Sequence, residues 1–276
     1  MSKKIEGIGL GLRAQHYQKF LAQKQPVQWL EILADNYLNT SGIPLQKLLT
    51  ITKDYPTALH CVGMSLGSVD PINWEYCQTV KELADQLQPA YISDHLCWSS
   101  LNQNYSHYLL PLPFTEETIQ HTASRIRQIQ DFIGYPLLIE NISTYVQSPD
   151  NEMDEITFLN RVAEKANCGI LLDINNIYVN THNHGADPYV MLDQVDAARV
   201  GQYHLAGHTH QGKLLIDTHG AHVPDIVWEL YQHALKKIGP KPACIEWDTD
   251  IPDLSVLLTE CQKAEHYHQQ TLNLKT

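Results

Sequence analysis

Residues 137–176 hold the pattern that decides the fold. Leu137-Leu138-Ile139-Glu140-Asn141 is a short apolar run closed by an acid and an amide. An amphipathic stretch over 153–167 follows. Then comes a second such run, Gly169-Ile170-Leu171-Leu172-Asp173-Ile174, with Asn175 and Asn176 behind it. Apolar run, helix-length stretch, apolar run is one β-α-β unit, whose strands lie parallel and are buried on both faces. The unit repeats in both directions along the chain. Strands are expected at 8–12, 27–33, 58–62, 90–95, 137–141, 169–174, 201–206 and 243–247, and helices at roughly 14–24, 43–54, 73–88, 115–133, 153–167, 187–198, 222–238 and 252–266. Pro26, Pro56, Pro89, Pro136, Gly169, Gly201 and Pro242 mark the joints. Strict alternation over eight units predicts an α/β fold, a closed (β/α)8 TIM barrel, with an open doubly wound sheet as the alternative. No composition break divides the chain, so residues 1–276 read as one domain.

Composition narrows the function classes. A net charge of -12 disfavours a nucleic-acid partner, since phosphate backbones are met by Lys and Arg. No apolar run is long enough for a membrane helix or a signal peptide, which predicts a cytoplasmic protein without a membrane partner. The six cysteines form no C-x-x-C pair, which argues against a thiolate zinc site and fits a reducing compartment. The anomaly is 15 histidines.

Their positions carry the argument. Strand three ends on His60, four on His95, five on Glu140 and six on Asp173; seven carries His204 and eight Glu246. The loop after strand seven adds His208, His210, Asp217 and His219. One polar residue at a strand end is ordinarily a cap or a hydrogen-bonded core group. Six to eight at the same end of a barrel are different: packed carboxylates repel and lose hydration unless cations neutralise them. His with carboxylate suits Zn, Fe, Mn or Co better than Ca or Mg. Eight ligands with Glu140 and Glu246 as bridges would serve two or three ions.

Other features weigh less. Gly7-Ile8-Gly9-Leu10-Gly11 has the wrong spacing for a dinucleotide loop. Glu31 and the Asp35-Asn36 pair are outer-shell, substrate or structural groups. His182 and His184 read as solvated, and His121, His233, His266 and His268 as surface positions on helices. Three βα connections are long: 97–113, with Trp98, Tyr105, His107 and Tyr108, then 175–186 and 207–221. The first is placed as a lid or peptide-contact wall.

The order His60, His95, Glu140, Asp173, His204, Asp217-x-His219, Glu246 resembles the trinuclear site of xylose-isomerase-like barrels such as endonuclease IV. Asn176 stands where that enzyme has a histidine. Over nearly residues 5–265 the chain more closely resembles the multinuclear non-haem iron-dependent oxidases. The motifs are Gly-Ile-Gly-Leu-Gly-Leu-Arg at 7–13, Trp29-Leu30-Glu31 to Asn36-Tyr37, Ser93-Asp94-His95-Leu96, Ile139-Glu140-Asn141, Leu172-Asp173-Ile174-Asn175-Asn176 and His204-Leu205-Ala206-Gly207-His208. The resemblance implies two or three iron ions, with O2 as co-substrate, and oxidation of a cysteine or other residue of a ribosomally made peptide. A separate recognition protein often presents that peptide. It implies metal ligands at His60, His95, Glu140, Asp173, Asn176, His204, Asp217, His219 and Glu246, and catalytic roles for Glu140, Glu246 and His208. The other readings are a Zn or Mn phosphodiesterase of endonuclease IV type and a metal-binding interaction module without catalysis.

Overall fold

A computed structural model describes residues 4–102 and 104–273; the side chain of His107 lies outside the described set. Eight parallel strands close into a barrel: β1 (Ile8–Gly11), β2 (Trp29–Leu33), β3 (Thr57–His60), β4 (Ile92–His95), β5 (Leu137–Glu140), β6 (Gly169–Asp173), β7 (Val200–Leu205) and β8 (Ala243–Ile245). Each strand pairs with its neighbours in sequence, and β8 closes on β1 through Ile8↔Ala243 to Leu10↔Ile245. The expected alternation of strand and helix therefore produced the expected closed barrel.

Successive side chains on a strand point to opposite faces. One set, including Ile139, Ile170, Leu172, Tyr203 and Ile245, faces outward and joins the large core under the helices. The other set faces the barrel axis. At the N-terminal end of the axis Trp29, Ala58 and Cys244 pack with Ile5 as a separate apolar plug. Gly9 is required here, because a Cβ on it would overlap the Trp29 ring. The glycine-rich opening thus serves packing.

The helices are α1 (Tyr17–Ala22), α2 (Ile43–Ile51), α3 (Trp74–Leu87), α4 (Glu116–Ile133), α5 (Glu155–Ala166), α6 (Ile174–His184), α7 (Pro188–Gln194), α8 (Asp225–Lys237) and α9 (Leu254–Asn273). Side-chain caps start several of them: Asn73, Thr115, Asp154 and Asp187 each accept a backbone N–H of the first turn.

Several expectations are corrected. The 175–186 segment is not a loop but the helix α6, opened by Asp173 Oδ1 accepting from Asn176 N at 2.7 Å. Its asparagines suggested a turn because Asn side chains compete for nearby backbone; here Asn175, Asn176 and Asn180 bond to other segments instead. The 97–113 and 207–221 connections fold as antiparallel hairpins, Trp98–Leu101 with Asn104–Leu110 and Thr209–Gln211 with Leu214–Ile216. His268 is buried rather than superficial.

Candidate metal centre

Strand register brings the six strand-end residues together. His60 is level with Ser93, two residues before His95; His95 is level with Glu140; Glu140 is level with Leu171, two residues before Asp173. Asp173 is level with His204, and His204 with Cys244, two residues before Glu246. Every offset is zero or two. Even offsets keep all six side chains on the axial face, and a shift of one at any pair would turn the rest outward. A register irregularity between Ile170 and Leu171 is what brings Asp173 level with His204.

His60, His95 and Glu140 form one corner. His60 Nδ1 lies 2.8 Å from Ser93 Oγ, whose hydroxyl donates to the Leu59 carbonyl. Nδ1–H of His60 is thus the donor, and its Nε2 lone pair faces Glu140 Oε2 at 3.6 Å. His95 Nε2 faces the same oxygen at 3.5 Å. The middle of the site joins Glu140, Asp173, His204 and Glu246. His204 Nδ1 is 3.0 Å from Glu140 Oε1 and 2.9 Å from Glu246 Oε2. Asn141 fixes Asp173 by gripping its backbone on both sides, accepting from Asp173 N and donating to Asp173 O.

The far corner comes from loops. His219 Nε2 is 2.7 Å from Asp217 Oδ1 and 3.4 Å from Asp173 Oδ2; its Nδ1 is 3.0 Å from Glu246 Oε2. His219 has φ +43, a left-handed conformation costly for a non-glycine residue and typical of functional sites. Its loop lies close because Gly207 has no Cβ, which would overlap the Ala221 carbonyl. Asn176 is oriented by Nδ2 donating to Asn141 O, which leaves Oδ1 buried.

The donor set fits cations. Glu140 Oε2, Asp173 Oδ2 and Asn176 Oδ1 are buried without a hydrogen-bond partner. Native proteins rarely leave such atoms unmet except where an ion or water belongs. Among the described residues, four overlapping groups each have candidate ligand atoms within 4.8 Å of one another: His60, His95, Glu140; Glu140, Asp173, His204, Glu246; His219, Glu246, Asp248; and, one layer deeper, Glu31, His204, Cys244. Glu140 and Glu246 are each shared by two groups.

Electrostatics point the same way. Burial alone would lower the His95 pKa, but Glu140, Asp94 and Glu246 outweigh it and lift it to about 9. Burial likewise opposes, and Glu246, Glu31 and Glu140 overcome, a large rise for His204; Asp217 and Glu246 do the same for His219. Burial, then Glu140 and Asp217, push the Asp173 carboxyl well up. Glu246 is held well down, because His204 and His219 overcome its burial. Without ions, protons neutralise the crowd of carboxylates; cations would take over that task.

Reading strand ends alone missed one member. Asp248 lies beyond β8, ion-paired to the buried Arg13 and 3.4 Å from His219 Nδ1. Glu31, left open between roles, contacts His204 directly. His208 is half-buried at the rim. Asn175 Nδ2 donates to Asp217 Oδ1, so its Oδ1 accepts from His208 Nδ1 at 2.7 Å. Burial, with His210 and His182 nearby, lowers the His208 pKa. His182 and His210 are exposed and belong to none of the candidate ligand groups.

Residues 7–269 match the family described as RiPP precursor modification enzyme MbnB/TglH/ChrH. A UPF0276 protein of Acaryochloris marina is 48% identical, covering 95% of this chain and 95% of its own. Among solved structures, D-allulose 3-epimerase from Methylomonas sp. in complex with D-allulose aligns with a TM-score of 0.59 at 14% identity, over 99% of this chain and 96% of that one. A xylose isomerase domain protein from Planctomyces limnophilus aligns with a TM-score of 0.59 at 14% identity, over 97% and 98%. The two structural likenesses show the same fold, a closed (β/α)8 barrel.

Proposed function

Because the chain belongs to the family of RiPP precursor modification enzymes MbnB/TglH/ChrH, we propose that it is a multinuclear iron-dependent oxidase. Its substrate is a residue, cysteine first, of a ribosomally synthesised peptide, and O2 is its co-substrate. The observation that carries this reading is the set of His, Asp and Glu donors converging from six strands and one loop, with buried oxygens of Glu140, Asp173 and Asn176 left without a hydrogen-bond partner. We assign His60, His95 and Glu140 to one ion, Glu140, Asp173, His204 and Glu246 to a second, and Asp217, His219 and Asn176 Oδ1 to a third. Mixed imidazole and carboxylate donors suit iron, with zinc or manganese able to occupy the same positions. Iron held there supplies the one-electron chemistry by which O2 oxidises a side chain.

The chain's own groups do the rest. Glu140, whose Oε1 faces His204 and Oε2 faces His60 and His95, and Glu246, whose Oε2 faces both His204 and His219, would be the carboxylates shared between neighbouring ions. His208 is the proton acceptor for the peptide: with Nδ1–H spent on Asn175 and the ring held neutral by burial, Nε2 is left to take the proton of a thiol. The hairpin after β4 exposes Leu101, Tyr105 and Tyr108 and forms a wall for the peptide, presented by a separate recognition protein.

Anaerobic purification with metal analysis, followed by O2 uptake and mass change with cysteine-containing peptides encoded beside the gene, tests the reading. Two or more iron equivalents and peptide-dependent O2 uptake are expected. Zinc with phosphodiesterase activity and no O2 uptake would replace it with the hydrolase reading.

A further inference from the structure

One layer below the candidate ligands, a chain of buried polar groups runs along the barrel axis. His204 Nε2 lies 2.9 and 3.0 Å from the two oxygens of Glu31. Gln202 Nε2 donates to Glu31 Oε2 at 2.6 Å, and Tyr91 O–H donates to Gln202 Oε1 at 2.6 Å. The amide direction of Gln202 is fixed by its partners, since only its NH2 can serve a carboxylate. Glu31, Gln202 and His204 are all buried. They also meet across the barrel from β2 and β7, which are not adjacent strands. A buried carboxylate is costly unless it is well satisfied. An apolar side chain at position 31 would simply have extended the plug formed by Trp29 and Ala58. The charge therefore calls for a use.

We infer that Glu31, supported by Gln202 and Tyr91, is the positioning residue of the second metal position. It accepts the Nε2–H of His204 and so forces the Nδ1 lone pair toward Glu140 and Glu246. The inference rests on the metal-site reading above. A metal-bound histidine commonly donates its other N–H to a carboxylate, which sets the tautomer and ring plane and raises donor strength. Both nitrogens of the His204 ring face carboxylates, Nδ1 toward Glu140 and Glu246 and Nε2 toward Glu31; with an ion taking Nδ1, the remaining N–H is the one that Glu31 holds. Glu31 itself is not a ligand of the cluster, because its oxygens are taken by His204 and Gln202. Cys244 also lies within reach of Glu31 and His204. Its thiol is directed at the Ile245 carbonyl at 3.5 Å, so it takes no part in the chain.

The test is metal loading of full-length protein, independent of any peptide. Wild-type and Glu31→Gln chains are titrated anaerobically with Fe(II), and separately with Zn(II), against a competing chelator. Glu31→Gln should weaken one ion equivalent by roughly 10- to 100-fold and leave the ion at His60, His95 and Glu140 in place. Tyr91→Phe, which deletes one hydroxyl at the far end, should weaken the same equivalent by roughly two- to tenfold, the worth of one hydrogen bond. It carries the test if Glu31→Gln fails to fold. Nitrogen NMR of the Zn(II) protein should show His204 metal-bound at Nδ1 and protonated at Nε2. Unchanged affinities in the variants, uniform weakening of all ions or the reversed tautomer overturns the inference. So does loss of an ion equivalent in Cys244→Ser, which would make the inner group an ion site. A wild-type chain that takes up no ion defeats the metal-site reading as well, and the two failures are thereby told apart.

Discussion

The two ends of the candidate metal centre are built differently. At one end His60, His95 and Glu140 stand on adjacent strands, held by sheet register. At the other, Asp217 and His219 stand on a loop between a hairpin and α8, with Asn176 from the first turn of α6. The strand-borne corner needs only the even spacing of a parallel sheet. The loop-borne corner needs Gly207 for close approach, a left-handed His219 and the Tyr145 hydroxyl accepting from Asp217 N at 3.0 Å. Donors on strands inherit the rigidity of the barrel; donors on loops are placed by many weaker contacts. The first corner should therefore bind its ion more tightly and tolerate fewer changes.

Substitutions can break this contrast. Glu140→Gln touches both strand-borne groups and should have the largest effect, weakening two ion equivalents about 100-fold or more with loss of turnover. Metal analysis after dialysis reads it, and full retention of iron would sink the assignment of Glu140 as a bridge. His219→Ala should remove the third equivalent and leave the other two, visible as a fall of one ion per chain. Loss of all ions would mean that the corners are not separable. Asn176→His places an imidazole where an amide oxygen now lies and should tighten the third ion by about tenfold if that corner lacks donor strength. Chelator competition measures it.

Protons sharpen the comparison further. His95 is lifted to about 9, and His204 and His219 are raised as well. At pH 7 these rings hold protons that ions must displace, so binding should release protons and affinity should climb as pH rises toward 9. Calorimetry in buffers of differing ionisation heat counts them; no release at pH 7 would contradict the proton-neutralised apo site. The smallest effect on the ions lies outside the cluster, at Glu155, where burial raises the pKa to about 7 and Asn180 donates to the carboxylate. A carboxyl raised from 4.5 costs nothing below pH 4.5 and its full amount above pH 7. Glu155→Gln should thus gain up to about 3 kcal/mol at pH 8 and nothing at pH 4.5. Urea unfolding at both pH values checks it, and metal content should not change.

The difference between the corners also marks what could be read from the chain. His60, His95, Glu140, Asp173, His204 and Glu246 were legible because each closes an apolar run, and a period of two fixes which residues share a face. Asp217 and His219 were candidates from the loop after strand seven alongside His208 and His210, and only the resemblance singled them out, since nothing in a loop's sequence states where it lands. Asp248 was missed for the same reason: it is one residue past Trp247, outside any strand, and its partner Arg13 is at the other end of the chain. Helix α6 was hidden by its asparagines, whose partners on other segments are invisible from local pattern.

By itself the sequence determined the alternation of strand and helix, a parallel sheet and the row of donors at the strand ends. Those follow from local periodicity and from the need to bury apolar faces. Pairing of β8 with β1 settled that the sheet closes. Tertiary structure alone decided which nitrogen of His60 and His204 faces the centre, that Glu31 stands behind His204, and that loops bring Asp217, His219 and Asp248 to the same place. These are long-range hydrogen bonds between residues far apart in the chain, and their geometry exists only once the barrel has closed.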